Sequence, residues 1–343
     1  MIKALDAKDF LEQSAGQLTL DVRSEGEYAY GHLPHATSLP LFTNAERAAI
    51  GTLYKQTSST EAILKGLDFV GPKMSEFVRF VQPLVRDNKV FVHCWRGGMR
   101  SGSMAWLFNQ FGYEVYTMRG GYKAYRRLVL EALAAPRNYL ILGGRTGSGK
   151  TELLHLLQQN GEQVLDLEGL AHHKGSAFGK LGQPAQPSTE HFENLLHCAL
   201  QQMDTGKRIW LEDESKKIGT VVLNTEFWNH VKAAPLYVVD LPMEIRVKRL
   251  VADYSNNPVA ELEQSITTLR KRLGGNDWKT AIDALHAGDL AQVVRLLLYY
   301  YDKTYDYGLS QREAAQLTRF AFDGDEMEAI AKVLMQQAAK AGL

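Results

Sequence analysis

His93-Cys94-Trp95-Arg96-Gly97-Gly98-Met99-Arg100-Ser101-Gly102 is the stretch on which the reading of this chain turns. The apolar run Val90-Phe91-Val92 precedes it and reads as a short buried strand. Ser103-Met104-Ala105-Trp106-Leu107-Phe108 follows and reads as a helix. A cysteine on such a turn meets backbone N–H groups and the positive end of the helix dipole. That field, with Arg96 and Arg100 close in sequence, favours thiolate over thiol. The frame is Cys-x5-Arg with a histidine before the cysteine, and two chemistries use it: attack on a phosphoester, and carriage of a sulfur or selenium atom. A buried structural cysteine is the plain alternative, but such a cysteine seldom has two arginines and two glycines in its own loop.

Upstream, Leu18-Thr19-Leu20-Asp21-Val22-Arg23 reads as a strand, and Ser24 to Ala36 as a loop punctuated by Gly26, Gly31 and Pro34. Asp21-Val22-Arg23, Glu27-Tyr28, Gly31-His32-Leu33-Pro34-His35-Ala36 and the Cys94 loop together resemble the rhodanese family. Within that resemblance Asp21 and Arg23 are structural anchors. His32 and His35 have no carboxylate cluster beside them and read as turn residues rather than metal ligands. Asn44 to Lys55 begins a long helical insertion with Asn44 as N-cap, running through Gly66 and Phe69 to a second helix, Met74 to Val85. Such an insertion either lies over the Cys94 loop, as loops at strand ends often carry function, or is a peripheral decoration. Further on, Arg119-Gly120-Gly121-Tyr122-Lys123-Ala124-Tyr125-Arg126-Arg127 interleaves aromatic and basic residues, which suits either a solvated helix face or RNA, through phosphate contacts and base stacking.

Ala134-Ala135-Pro136-Arg137 breaks that helix and places a boundary between residues 1–135 and 136–343. Tyr139-Leu140-Ile141-Leu142 is a strand, and Gly144-Arg145-Thr146-Gly147-Ser148-Gly149-Lys150-Thr151 matches G-x4-G-K-[ST] with a helical segment after it. Gly144, Gly147 and Gly149 let the backbone wrap an anion, Lys150 adds a charge at the outer phosphate, and the Thr151 hydroxyl can hold Mg²⁺. Further strands are expected at 163–166, 208–211, 236–239 and 320–322, the second running into Glu212 and Asp213, carboxylates that suit either orienting Mg²⁺ or a solvated strand end. Asp166 to Gly179 reads as a glycine-rich loop near the phosphate site, and Cys198 as a core residue. Helices are expected at 244–250, 262–273 and 290–305, where Arg246, Lys248, Arg249, Arg270, Lys271 and Arg272 could form a basic face.

Composition sets the outer bounds. The 343 residues are 45% apolar and 23% charged, with 39 basic and 39 acidic side chains, so a nucleic-acid site must be a local patch. Two cysteines exclude a disulfide framework. No stretch approaches the ~18 apolar residues of a membrane span, and a cytoplasmic protein without a membrane partner is expected.

Gly51-Thr52-Leu53-Tyr54-Lys55-Gln56, Asp166 to Gly179, and Leu211-Glu212-Asp213-Glu214-Ser215, on a rhodanese-plus-P-loop frame, closely resemble the bacterial tRNA 2-selenouridine synthase family. The resemblance implies an α/β protein: an N-terminal rhodanese-like domain with a helical insertion, and a C-terminal P-loop NTPase-like domain with a parallel sheet and a helical extension. It implies a transferase acting on the wobble (position 34) 2-thiouridine of tRNAs for Lys, Glu and Gln. The sulfur is alkylated with geranyl diphosphate, and the S-geranyl group is then displaced by selenium from selenophosphate. Cys94 would hold selenium as a selenylsulfide. The N–H groups from Trp95 through Gly97 and Gly98 to Ser101, with Arg100, would bind selenophosphate. The P-loop, with Asp166, suits the diphosphate, and Gly66 falls near the prenyl or thiouridine pocket. No resident cofactor is implied beyond Mg²⁺ at the P-loop, and a selenophosphate-producing enzyme is an expected partner. The competing readings are a Cys-x5-Arg phosphatase fused to a P-loop NTPase domain, an ATP-dependent enzyme carrying a sulfurtransferase, and a non-catalytic tRNA-binding module.

Overall fold

A computed structural model describes residues 1–176 and 178–343; Ala177, inside the 166–179 stretch, lies outside the described residues. Two compact units divide the chain: residues 1–133 with 193–198, and residues 134–192 with 199–343.

In the first unit, strands β1 (Ile2–Leu5), β2 (Leu18–Asp21), β3 (Thr37–Ser38), β4 (Lys89–His93) and β5 (Glu114–Met118) form one sheet in the order β1-β5-β4-β2-β3. Every pairing is parallel. A parallel sheet is covered on both faces, so its inner strands are continuous apolar runs. Val90, Phe91 and Val92 of central β4 are accordingly buried. Helices α1 (Ala7–Ser14), α6 (Met99–Gln110) and α7 (Gly121–Ala134) supply Phe10, Phe108 and Tyr125 to the core. A fully buried Phe or Leu side chain contributes about 1.5–3 kcal/mol. Helix α6 starts four residues before the expected Ser103, so Arg100 and Ser101 stand in its first turn rather than in a free loop.

Three local expectations are corrected. The 24–36 segment contains a helix, α2 (Glu25–Tyr30), because Ser24 and Glu27 form a capping box that outweighs Gly26. In the insertion, α3 (Asn44–Gln56) is capped by Thr43, whose hydroxyl accepts from Glu46 N–H while Glu46 reaches back; Asn44 is the first helical residue. After α4 (Ser59–Val70) and a 3₁₀ turn (Gly71–Lys73), α5 (Met74–Val81) stops four residues short of Val85, since Pro83 cannot continue it.

The second unit repeats the plan. Strands β6 (Tyr139–Gly143), β7 (Gln163–Leu165), β8 (Ile209–Glu212), β11 (Leu236–Asp240) and β12 (Leu317–Ala321) form a parallel sheet, order β12-β11-β6-β8-β7. The expected strands fall on it within a few residues. A hairpin of β9 (Lys217–Ile218) and β10 (Val221–Val222) stands apart. Helices α8 (Lys150–Gln159), α9 (Leu167–Ala171), α10 (Thr189–Gln201), α11 (Thr225–Ala233) and α12 (Met243–Tyr254) intervene in the chain. The helical extension comprises α13 (Val259–Thr268), α14 (Arg270–Leu273), α15 (Gly275–His286) and α16 (Leu290–Ser310); α17 (Met327–Lys340) closes the chain. Leu262, Ile266, Ala281, Leu285, Val293 and Leu297 give this extension an apolar cluster of its own. The expected 262–273 helix is two, broken after Thr268. The basic face is also corrected: buried Arg246 pairs with Asp302 at 2.7 Å, Arg249 pairs with Glu152 and Asp325, and Arg270 lies over the Trp278 ring. Cys198 is half-buried, and burial pushes its thiol up.

Candidate active site

Each sheet sends one glycine-rich loop from the C-terminal end of its central strand, the place where open α/β sheets bind ligands. In the first unit that strand is β4 and the loop begins at Cys94. The thiol is 3% exposed, and its Sγ lies 3.2 Å from Ser101 Oγ. Burial pushes the thiol up, but the Ser101 hydroxyl and the N–H groups of Ser101, Arg96 and Gly98 more than offset it, so the thiol lies below its ordinary value. The expected field therefore exists, but hydrogen bonds rather than arginine charges supply it.

Two glycines shape this loop. Gly97 has φ +64° and a Cβ there would collide with the Met118 carbonyl; Gly121 has φ +57° and a Cβ would collide with the Cys94 carbonyl. The absence of both side chains lets the start of α7 lie on the loop, where Tyr122 N–H donates to Cys94 O at 2.8 Å and Lys123 N–H to Trp95 O at 3.0 Å. Beneath it, Arg23 pairs with Asp21 at 2.6 Å, donates to Gly31 O and stacks on Tyr122 at 3.7 Å. Both members of this pair are fully buried, in keeping with anchors. His93 is fully buried too, and burial holds its imidazole down in the neutral form. His32 stacks on Tyr28 and bonds its carbonyl, as a turn residue does.

Arg100 does not reach for the sulfur. Its guanidinium donates to Glu27 at 2.8 Å, and Arg47 holds the same carboxylate at 2.9 Å. Burial raises the Glu27 carboxyl, but Arg100 and Arg47 bring it below the usual range. Glu27 had been legible only as part of a motif, not as the partner of two arginines.

The helical insertion does lie by the Cys94 loop. With α6 it encloses a groove of ≈ 1360 Å³ whose lining includes Cys94, Trp95, Arg96 and Arg100. Its wall is apolar: Phe42, Ile50, Ile63, Gly66, Leu67 and Trp106 all line it. Helix α3 buries no residue and α4 only Ala62 and Gly66. Ile63, Leu67 and Trp106 consequently stay 44%, 62% and 53% exposed, an apolar surface of the kind that marks a binding groove.

In the second unit β6 leads into Gly144–Gly149, and Gly149 caps α8. Gly144 N–H donates to the Tyr305 hydroxyl at 2.7 Å, and Lys150 Nζ to Gly144 O at 2.9 Å. Ser148 Oγ is buried in the loop without a hydrogen-bond partner. Thr151 Oγ donates to Glu168 at 3.1 Å, a carboxylate that sequence reading passed over. Burial pushes Glu168 and Glu214 up, and the two share a hydrogen bond. Burial, aided by Asp166 and Glu168, also pushes Glu212 well up; one Glu212 oxygen accepts from Leu167 N–H and the other has no partner. Asp166 caps α9, accepting from Gly169 N–H at 2.7 Å. Asp213 is taken by Arg312 at 2.5 Å and by the Tyr305 hydroxyl at 3.3 Å. Among the described residues, no three His, Cys, Asp or Glu side chains are grouped to hold a metal by themselves.

A cysteine-containing loop on one parallel sheet and a G-x4-G-K-T loop on the other are the marks of a rhodanese-like domain joined to a P-loop-like domain. The rhodanese-like domain model matches residues 4–128, and the model of the tRNA 2-selenouridine synthase AAA domain matches residues 137–341. Relatives named tRNA 2-selenouridine synthase match along most of the chain. That of Shewanella denitrificans is 35% identical over 343 residues, 89% of this chain and 91% of its own. Those of a Sulfurovum species and Pseudomonas putida are 34% and 33% identical, covering 91% and 90% of this chain and 94% and 91% of their own. The chain belongs to the tRNA 2-selenouridine synthase family. Among the described residues no helix is long and apolar enough to cross a membrane.

Proposed function

We propose that this chain converts the wobble 2-thiouridine of tRNAs for Lys, Glu and Gln to 2-selenouridine in two steps. The observation that carries the reading is a thiol held below its ordinary pKa in the lining of a large groove with an apolar wall. An S-geranyl nucleoside brings a ten-carbon chain that such a wall can cover. In the first step the thiouridine sulfur attacks C1 of geranyl diphosphate; the C–S bond forms, diphosphate leaves, and the ring's N3 proton passes to solvent. The P-loop backbone, Lys150 and the orphaned Ser148 hydroxyl suit that diphosphate. Thr151, Glu168 and Glu212 would hold Mg²⁺ there together with diphosphate oxygens, the ion neutralising charge on the leaving group. In the second step the Cys94 thiolate takes selenium from selenophosphate, phosphite leaving as the Se–P bond breaks. The outer selenium then bonds to C2 as the C–S bond breaks and geranylthiol departs, and a small external thiol reduces the remaining S–Se bond, freeing 2-selenouridine and Cys94. The N–H groups of Arg96, Gly98 and Ser101, which face the Cys94 sulfur, would bind the selenophosphate anion as it approaches.

The phosphatase reading fares worse. It needs a protonated carboxylic acid facing the thiol, and Glu27 is kept ionised by Arg100 and Arg47.

Mass spectrometry of nucleosides tests the proposal, after a 2-thiouridine anticodon stem-loop is incubated with geranyl diphosphate and then selenophosphate. Wild-type protein is expected to give S-geranyl-2-thiouridine and then 2-selenouridine. Cys94→Ala is expected to stop at the geranylated nucleoside. Selenouridine formed at the normal rate by that variant overturns the selenium-carrier role.

A further inference from the structure

The turn after β5 and the start of α7 carry a second cavity. Arg96, Arg119, Lys123 and Arg127, with Gly120 and Ala124 between them, line a cleft of ≈ 670 Å³. All four cationic side chains are exposed, and among the described residues none has an ion pair or side-chain hydrogen bond. Four cations around the Cys94 groove and beneath its loop are by contrast paired: Arg23 with Asp21, Arg47 and Arg100 with Glu27, and Lys73 with Glu46.

This grouping is unfavourable in the free protein on two counts. Lys123 and Arg127 are like charges at i, i+4 on one helix face, which is mildly destabilising. Arg119 and Lys123 also flank the N-terminus of α7, where the helix dipole opposes positive charge. An anion in the cleft reverses both effects. The cleft is also in fixed register with the nucleophile, through the hydrogen bonds of Tyr122 to Cys94 O and Lys123 to Trp95 O. Arg96 lines the cleft and the Cys94 groove alike.

We infer that this cleft holds backbone phosphates of the tRNA anticodon loop beside the modified base, with Arg96 marking the passage of the base into the groove. The inference rests on the tRNA reading above. Four cations spread from the turn to the second turn of α7 exceed what one small tetrahedral anion needs, and the cleft has no apolar anchor for a protein partner.

Binding of a fluorescent anticodon stem-loop between 50 and 200 mM salt tests it. The proteins compared are wild type, Arg119→Gln/Lys123→Gln/Arg127→Gln, and Lys8→Gln/Arg79→Gln/Arg86→Gln, which removes equal charge from elsewhere on the same unit. Three lost phosphate contacts lower the salt slope by about 2, so wild type should lose about twentyfold more affinity than the cleft variant across that range. The control variant should follow wild type, and the alkylation rate of Cys94 by iodoacetamide should be unchanged in the cleft variant. A cleft variant with wild-type affinity and slope, or a control variant that loses as much, overturns the inference and leaves the tRNA reading standing. RNA binding retained by the cleft variant together with lost delivery from a selenophosphate-producing enzyme overturns it in favour of a protein-docking face. Wild-type protein that fails to bind the stem-loop at low salt overturns the tRNA reading itself.

Discussion

Cys94 Sγ lies 3.2 Å from Ser101 Oγ, and Ser101 Oγ lies 3.1 Å from Gly98 O. With the thiol protonated, Ser101 donates to Gly98 and accepts from sulfur; once the proton leaves, the hydroxyl turns its hydrogen toward the thiolate. A hydrogen bond made to the charged form stabilises that form and lowers the pKa. Ser101→Ala removes it, so the thiol should titrate higher by about one unit, a bond to a charged group being worth about 1.5 kcal/mol. The rate of Cys94 alkylation by iodoacetamide against pH measures this. Its midpoint should move upward in the variant, and an unmoved midpoint would leave the loop N–H groups as the whole cause.

Contact and backbone strain can be separated at two glycines of the first unit. Gly121 (φ +57°) has Cys94 O and Gly97 N where a Cβ would sit, whereas Gly112 (φ +86°) has nothing within 4 Å. Gly112→Ala should cost about 1 kcal/mol through the left-handed backbone alone. Gly121→Ala should cost about 3 kcal/mol or more, because backbone atoms cannot yield, and it should also slow Cys94 alkylation. Urea midpoints compare the two. Equal midpoints would mean that α7 and the nucleophile loop part easily.

Gly66 occupies the groove wall on α4. A Cβ there would meet Phe42 Cζ at 3.4 Å and Ile50 Cδ1 at 3.9 Å, ordinary contact distances. Gly66→Ala should therefore stabilise the helix by about 0.5–1 kcal/mol and leave selenation running. Gly66→Leu extends three further carbons into the groove and should raise KM for an S-geranyl stem-loop at least tenfold, with a smaller effect on a methylated analogue. If both substrates suffer equally, the prenyl chain lies elsewhere.

Much of this was legible in sequence because both loops are local: a buried apolar strand, glycines at set offsets, then a helix. What was not legible depended on distance along the chain. Arg100 meets Glu27 across 73 positions, and α2, only six residues long around Gly26, is held by a Ser24–Glu27 cap that a glycine-and-proline count conceals. The helix starting at Asn44 was displaced by one cap position because Thr43 and Asn44 are both good caps, and only Glu46 chooses between them. The basic face expected from Arg246 and Arg249 dissolved because Asp302, Glu152 and Asp325 come from other segments. The groove itself exists only because α3 and α4 leave apolar side chains uncovered, which periodicity alone reads as ordinary packing.

The same separation of site from scaffold applies to the carboxylates of the second unit. Glu168 is bonded by the Thr151 hydroxyl and shares a hydrogen bond with Glu214, whose carboxyl burial pushes up to about 8. Glu168→Gln keeps the side chain's shape and an oxygen to accept from Thr151 and Glu214, so it should leave the thermal midpoint nearly unchanged, while weakening binding of inorganic diphosphate with Mg²⁺ about tenfold or more and slowing geranylation. Asp213→Asn should do the opposite. It strips the partner from Arg312, whose side chain is 3% exposed, and leaving that charge uncompensated costs about 3–5 kcal/mol. Calorimetric titration of diphosphate and a thermal melt, run on both variants, separate the two roles. A Glu168→Gln protein that melts early yet binds diphosphate normally would move the ion-holding role away from Glu168 and make its bond to Thr151 a structural one.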